Sequence, residues 1–260
     1  MITSYSNSKV KQVRALRQRK ERDAAGLFVV EGIRPVGEAA AANAAIEFVC
    51  YAPDRLVSGF ARQLVEEQSA RGVPCYPLAA DVFDSIADKE NPPGLLAVIR
   101  QPHLTLDTLA PDTSAWCVAL ASPQDPGNVG AILRTMDAVG AGPLLLLEAS
   151  VDAYHPSAVR ASLGALFWRP VVRASFTEFA RWAQAGGYHI YGTAETGAAD
   201  YRAVDYQRPM VLLMGSEREG LSAEQEAACE KVVRLPMVGR VTSLNLAVAA
   251  GVLLYAMKRL

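Results

Sequence analysis

The sequence predicts an α/β protein in two parts: a small α/β domain over residues 1–100, a linker over 101–113, and a larger domain over 114–260 built on a parallel sheet. Three observations predict it. Strand-like and helix-like segments alternate along nearly all of the 260 residues. The strand-like runs after residue 114 are uniformly apolar, as expected of parallel strands covered by helices on both faces. Between the two series, residues 101–113 hold Pro102, Pro111, two Asp and three Thr without periodicity. No internal repeat interrupts the pattern.

In the first part, a basic segment is followed by a strand at 28–30, an Ala-rich helix at 36–45 and a strand at 46–51. A helix at 60–69, an extended stretch at 73–76, a helix at 82–87 and a buried strand at 95–99 complete it. The second part opens with a strand at 116–121, a helix at 128–139 and a strand at 144–147. A helix at 176–184 and strands at 188–192 and 211–214 follow, then a helix at 223–229, a strand at 232–235 and a terminal helix. In open sheets of this class ligands sit beyond the carboxyl ends of the strands. The loops at 122–128, 193–199, 215–221 and 236–243 are therefore the candidates for chemistry.

Composition narrows the possibilities. With 51% apolar and 20% charged residues the chain is an ordinary globular protein. Cys50, Cys75, Cys117 and Cys229 are scattered without metal or redox spacing, which fits a reducing cytoplasm. His103, His155 and His189 form no zinc-hydrolase arrangement, so no metal is expected. The amino terminus lacks an export pattern and no apolar run approaches a bilayer span, so a cytoplasmic protein without membrane contact is expected. The formal charge of −1 hides an asymmetry: residues 1–34 carry eight basic and three acidic side chains, a net +5, and the remainder carries −6. Lys9, Lys11, Arg14, Arg22 and Arg34 within that segment are the candidate contacts to nucleic-acid phosphates; the alternative is a solvated helix face.

Each loop has its own chemistry. Asp125 can cap the helix after the first strand, Pro126 suits its first position, and Gly140 ends it. Val129, Ile132, Leu133, Met136 and Val139 form its buried stripe. Arg134 lies off that stripe, beside Gly127, Gly130, Ala131 and Ala138, and suits either a phosphate or an ion pair with Asp137. The glycines at 140 and 142 follow a helix and precede a strand, the reverse of a dinucleotide fingerprint, which excludes a nicotinamide cofactor. In the loop after the strand at 211–214, Gly215 and Gly220 permit a tight turn, while the Lys of a phosphate-binding P-loop is missing. Glu217 is placed to bind ligand hydroxyls, to pair with Arg134, or to hold the loop. Glu195, within Gly192–Gly197, is either ligand-facing or solvated. In the last junction Pro236 and Gly239 stop the apolar run, Thr242 and Ser243 can cap the helix, and Asn245 falls in its first turn.

Together these segments resemble the three ordered motifs of the SpoU, or TrmH-like, family of RNA ribose 2′-O-methyltransferases. Asp125-Pro126-Gly127-Asn128-Val129-Gly130 with Arg134 is similar to the first, Gly215-Ser216-Glu217-Arg218-Glu219-Gly220-Leu221 to the second, and Leu235-Pro236-Met237 with Ser243-Leu244-Asn245 to the third. Residues 155–164 are similar to the intervening segment. Residues 6–11 and 28–34 resemble the substrate-binding domain that often precedes the catalytic one, itself resembling ribosomal protein L30e. The resemblance implies a carboxyl-terminal parallel sheet with a trefoil knot of the SPOUT type, S-adenosylmethionine as methyl donor, and a homodimer formed through the knotted domain. It implies Gly215, Leu235 and Leu244 at the cofactor, and Arg134, Asn128, Glu217, Ser243 and Asn245 as catalytic residues. Arg134 would fix a phosphate and the nucleophile, because an Arg side chain keeps its proton far above neutral pH; Asn128 and Asn245 would orient the nucleophile, with Glu217 and Ser243 holding loops. In the terminal helix the small residues Ala247, Ala249, Ala250 and Gly251 suit close packing, against a partner or within the chain. Two positions depart from the pattern: Arg218 stands where relatives often have a small residue, and Thr242 where an acidic or small one is common. The implied substrate is large-subunit ribosomal RNA. A transfer RNA enzyme, a non-catalytic RNA-binding protein in ribosome assembly, and a methyltransferase acting on a base nitrogen are the alternatives.

Overall fold

The structure, a computed structural model, describes residues 1–88, 91–195 and 199–258. The chain divides into two compact units, Met1–Pro102 with Tyr154–Arg160, and His103–Ala153 with Ala161–Leu260.

The first unit opens with α1 (Ser8–Ala15), capped by the Asn7 side chain on the Lys9 N–H, and α2 (Arg19–Ala25). There follow β1 (Leu27–Glu31), α3 (Ile33–Ala41), β2 (Ile46–Tyr51), α4 (Gly59–Ala70), β3 (Cys75–Pro77), α5 (Ala80–Asp84) and β4 (Leu95–Arg100). The four strands form one sheet in the order β1-β4-β2-β3, antiparallel except for the β2–β3 pair. Val10, Val13 and Leu16 of the α1 segment bury against Phe48, Leu96 and Val98 of the sheet. That spacing of three puts one apolar stripe inward and leaves the basic side chains between its members on other faces.

Two basic residues from the amino-terminal segment do not stand on the surface as the charge pattern suggests. Arg22 is 2% exposed, and its Nη1 donates to the carbonyls of Leu16 (2.9 Å) and Arg17 (2.8 Å), closing the turn between α1 and α2. A guanidinium satisfied in this way is a structural clamp, which corrects its assignment to RNA. Lys9 is half-buried with its ammonium 4.4 Å from the centre of the Phe48 ring and 5.8 Å from that of Tyr76, so its charge is held largely within the unit. Lys11, Arg14 and Arg34 are exposed; Arg14 donates to the Ser85 hydroxyl (3.2 Å) and Arg34 lies 3.7 Å from Glu38 one helical turn on.

The segment Tyr154–Arg160 belongs to this unit although its sequence neighbours belong to the other. Tyr154 is buried with its ring 4.7 Å from that of Phe28, and Arg160 pairs with Asp88.

The second unit is built from β5 (Trp116–Ala121), α6 (Pro126–Val139), β6 (Leu144–Leu147), the last residues of α7 (Pro156–Ser162), β7 (Val171–Ala174) and α8 (Phe176–Ala185). It continues with β8 (His189–Thr193), β9 (Ala199–Asp200), β10 (Met210–Met214), α9 (Ala223–Ala227), β11 (Lys231–Arg234) and α10 (Leu246–Met257). All seven strands are parallel, in the order β7-β6-β5-β10-β8-β11-β9. Leu144 to Leu147 and Met210 to Leu213 are fully buried, because central parallel strands are covered on both faces. Asp125 caps α6 through its side chain (2.7 Å to the Gly127 N–H), Pro126 is the first helical residue, and Gly140 ends the helix in the left-handed conformation at φ 81°.

Two strands lie outside the sequence reading. β7 is an edge strand of alternating exposure that follows Pro170, and β9 has two residues, too few for any periodicity. Residues 101–113 carry no regular element beyond one 3₁₀ turn at Leu106–Thr108, but Leu106 and Leu109 are buried in the core of the second unit. The sheet order reverses direction between β5 and β10, which makes their carboxyl ends the switch point of this fold.

Candidate active site

A cleft of about 750 Å³ opens at the carboxyl ends of β8, β10 and β11. Its walls are the turn after β10, the loop between β11 and α10, and Thr193 to Glu195 after β8. Gly215, Leu235 and Leu244 all line it, as do Thr242, Ser243 and Asn245. Thr196 and Gly197 of the β8 loop lie outside the described residues.

The turn after β10 folds back on itself. The Ser216 N–H donates to the Gly220 carbonyl (3.2 Å) and the Gly220 N–H to that of Ser216 (3.0 Å), while the Glu219 N–H donates to the Ser216 hydroxyl (3.1 Å). This closure requires glycine at 215: a Cβ there would lie 2.0 Å from the Gly220 carbonyl carbon and 2.4 Å from the Leu221 nitrogen. The glycine seen in the sequence thus serves a close approach of two backbones.

Three loops are joined by one chain of side-chain hydrogen bonds. Glu217 accepts from the Gln124 N–H (2.9 Å) and from the Asn128 amide (3.0 Å). Asn128, 8% exposed, accepts in turn from the Asn245 amide (3.0 Å). The Asn245 carbonyl oxygen accepts from the N–H groups of Ala247 (2.9 Å) and Val248 (3.3 Å). A carboxylate at one end can only accept, and free helix N–H groups at the other can only donate. Both amides are therefore oriented one way, and the chain has a fixed polarity.

This arrangement revises three expectations. Asn245 caps α10, and the helix begins at Leu246; Thr242 and Ser243 are exposed residues of the preceding loop. Asn is as good a cap as Ser, and the Asn245 amide caps with its oxygen while its nitrogen donates to Asn128. Second, the Ser243 hydroxyl makes no hydrogen bond among the described residues, so it holds no loop and faces the cleft. Third, Glu217 pairs with Asn128 and Gln124, leaving Arg134 to solvent. Asp137 does not pair with Arg134 either. It accepts from Arg169 (2.8 Å) and from the Trp168 indole (2.8 Å). Arg134 is exposed and has no ion pair or hydrogen bond among the described residues. The Gln124 backbone N–H carries no sequence signal, because any residue but proline supplies one.

Burial pushes the Glu217 carboxyl upward, but the hydrogen bonds from Asn128 and from the N–H groups of Gln124, Glu217 and Asp125 outweigh it and hold the group below the ordinary value of 4.5. It is ionised at neutral pH, as the polarity of the chain requires. Burial pushes the Cys50, Cys117 and Cys229 thiols up to about 12, so these are packed thiols without thiolate character. Among the described residues no group of three His, Cys, Asp or Glu is arranged to hold a metal ion, and no helix is long and apolar enough to cross a membrane.

Comparison with known proteins gives matches over most of the chain. The SpoU rRNA Methylase family matches residues 115–255, and the MRM3-like substrate binding domain matches residues 7–97. The chain is 35% identical over 262 residues to the 23S rRNA (uridine(2479)-2′-O)-methyltransferase of Streptomyces viridochromogenes, covering 98% of this chain and 90% of that protein. It is 30% identical over 257 residues to the 23S rRNA (guanosine(2553)-2′-O)-methyltransferase RlmP of Bacillus subtilis, covering 99% and 98%. The crystal structure of an AdoMet-bound rRNA methyltransferase from Sinorhizobium meliloti superposes with a TM-score of 0.91 at 35% identity, covering 99% of this chain and 97% of that one.

Proposed function

The chain belongs to the SpoU rRNA Methylase family, and we propose that it methylates a ribose 2′-hydroxyl of large-subunit ribosomal RNA with S-adenosylmethionine as donor. The observation that carries this reading is the polar chain Glu217–Asn128–Asn245 beside an open cleft, with an uncommitted Arg134 on the same helix as Asn128.

The cleft fits the donor. Its volume of about 750 Å³ is in the range of small-molecule sites. Leu235, Met237, Leu244, Leu246 and Leu253 supply apolar wall for an adenine ring, and Glu195, Glu219 and Glu226 supply acceptors for hydroxyls and positive charge. The donor brings a methyl group on a positive sulfonium. Every other demand falls on the protein, which must hold the ribose oxygen in line with that carbon. Arg134 binds a substrate phosphate by bidentate hydrogen bonds and so sets the position of the adjoining ribose. Asn128 and Asn245 act as positioning residues: each amide nitrogen retains one N–H, aimed by the bond its partner makes. As the oxygen–carbon bond forms and the carbon–sulfur bond breaks, the hydroxyl proton is released to water.

The remaining parts of the reading have separate support. The first unit, 1–100, is assigned to RNA through exposed Lys11, Arg14 and Arg34, with 101–113 as linker and 114–260 as the catalytic domain; its mixed four-stranded sheet with helices suits the L30e-like assignment. A trefoil knot formed by the chain after β11 is supported by family membership and by the Asn245–Asn128 bond, which ties the start of α10 to a helix 117 residues earlier. Val248, Val252 and Tyr255 form an apolar stripe on α10 that is 53%, 37% and 54% exposed, suited to a second copy of the chain. A cytoplasmic location fits a ribosomal substrate.

The test is transfer of labelled methyl from the donor to separated ribosomal and transfer RNA fractions, with the modified nucleoside identified. Label on a ribose 2′-oxygen of the large-subunit RNA is expected. Label on transfer RNA alone, or on a base, would overturn the assignment.

A further inference from the structure

We propose that Arg218 receives the carboxylate of the donor's amino-acid end, so that this chain reads the head group of its cofactor through a residue that stands where a small one is common in the family pattern. The proposal rests on the methyltransferase reading above.

The charges lining the cleft are unevenly matched. Four carboxylates are present, from Glu195, Glu217, Glu219 and Glu226, and Arg218 is the one cation among the described lining residues. Glu217 is diverted, since its oxygens are occupied by Asn128 and Gln124. It therefore forms no ion pair with the Arg218 side chain next to it, although its charge remains part of the negative wall. Arg218 is exposed, with no ion pair or hydrogen bond among the described residues. Its backbone sits within the Ser216–Gly220 closure, which fixes the start of the side chain, and the residue lines the cleft.

The chemistry of the donor complements this wall. An amino-acid end carries one ammonium and one carboxylate, and the sulfonium adds a second positive charge. Glu195, Glu219 and Glu226 suit the positive groups but repel the carboxylate. The planar fork of Arg218 is the one cationic group in the described lining that can take it, through two parallel charge-assisted hydrogen bonds. A phosphate of the RNA is the competing anion. A guanidinium flanked in sequence by Glu217 and Glu219 and facing further carboxylates across a cleft sits in a field unfavourable to a polyanion, whereas a donor of net positive charge is attracted to it.

Isothermal titration of the full-length protein with S-adenosylmethionine and with its decarboxylated analogue tests the assignment. Arg218→Gln is expected to weaken binding of the first about tenfold and to leave the second within about twofold, with Arg218→Lys intermediate because it keeps the charge but loses the fork. Equal loss for both donors, or no loss for either, would overturn the proposal. So would a Gln variant with unchanged donor affinity but a reduced salt dependence of RNA binding, which would give Arg218 to phosphate. Wild-type protein that binds neither donor would instead overturn the methyltransferase reading itself.

Discussion

The polarity of the Glu217–Asn128–Asn245 chain makes a prediction that size and charge alone would not. Glu217→Gln preserves the shape of the side chain but replaces one acceptor by a donor. If its carbonyl oxygen keeps the Gln124 N–H, its NH₂ group faces the Asn128 NH₂, which lies 3.0 Å from the present carboxylate. Asn128 can turn over to accept, but its NH₂ then confronts that of Asn245, also now bonded at 3.0 Å. Asn245 can turn over in its turn, and the Ala247 and Val248 N–H groups then lose their cap. One mismatch must remain somewhere. Its least costly location is the helix end, where a lost cap costs about 1 kcal/mol. Loss of a charge-assisted bond at Glu217 adds a similar amount, taken from the low end of the range because the group is largely exposed.

The expected destabilisation is therefore about 1–2 kcal/mol. Asn128→Asp alone should cost at least as much, since it sets two carboxylates against each other. Combining the two changes restores the order of donors and acceptors: the new amide at position 217 donates to the new carboxylate at position 128, and that carboxylate accepts from Asn245. A double-mutant cycle by urea unfolding at neutral pH should then give a favourable coupling of about 1–2 kcal/mol, with donor affinity recovering in parallel. Additivity within about 0.5 kcal/mol would refute the idea that the chain is directional.

Three further outcomes are expected. Gly215→Ala forces a Cβ to 2.0 Å from the Gly220 carbonyl carbon, so the turn must open and lose its two backbone hydrogen bonds; a loss of about 2–3 kcal/mol in stability and of measurable donor binding is expected, and unchanged titration and unfolding curves would count against the closure. Replacing Lys11 and Arg14 by Gln should weaken RNA binding and flatten its logarithmic salt dependence by roughly 1.5–2 without moving donor affinity, whereas Arg22→Gln should lower stability by about 2 kcal/mol because two buried carbonyls lose their donor; RNA affinity more sensitive to Arg22 than to the exposed pair would reverse that assignment. The Glu217 carboxyl is held below its ordinary value of 4.5, so the stability it contributes is complete above that value and is lost as the pH falls through the depressed folded pKa; the difference in stability between wild type and Glu217→Gln should be constant from neutrality to about pH 5 and shrink below about pH 4, which paired unfolding curves would show.

Most of the fold is legible in the sequence because its strands are apolar and its helices periodic. β2, β5 and β6 have the predicted ends, and the Asp125, Pro126 and Gly140 signals mark α6 correctly. What escapes is decided by tertiary context. β7 takes its place only because Leu144 to Leu147 offer an open edge beside it. Arg22 reads as one more surface charge, and nothing local reveals that the turn above it leaves two carbonyls to satisfy. The site shows the same division. The residue types around the cleft are visible as motifs, but the direction of each hydrogen bond is not, since a cap at Asn245 rather than at Ser243 depends on Asn128 standing opposite.

The segment Tyr154–Arg160 has a consequence for how the protein can be divided. A cut near residue 102 looks like a natural boundary, yet the carboxyl-terminal fragment it releases would carry seven residues whose packing partners had been left behind. Tyr154 would lose the Phe28 ring and Arg160 would lose Asp88. The two units are thus consecutive in sequence only in outline. Expressed, exchanged or evolved separately, neither can be obtained whole from a single cut in the gene.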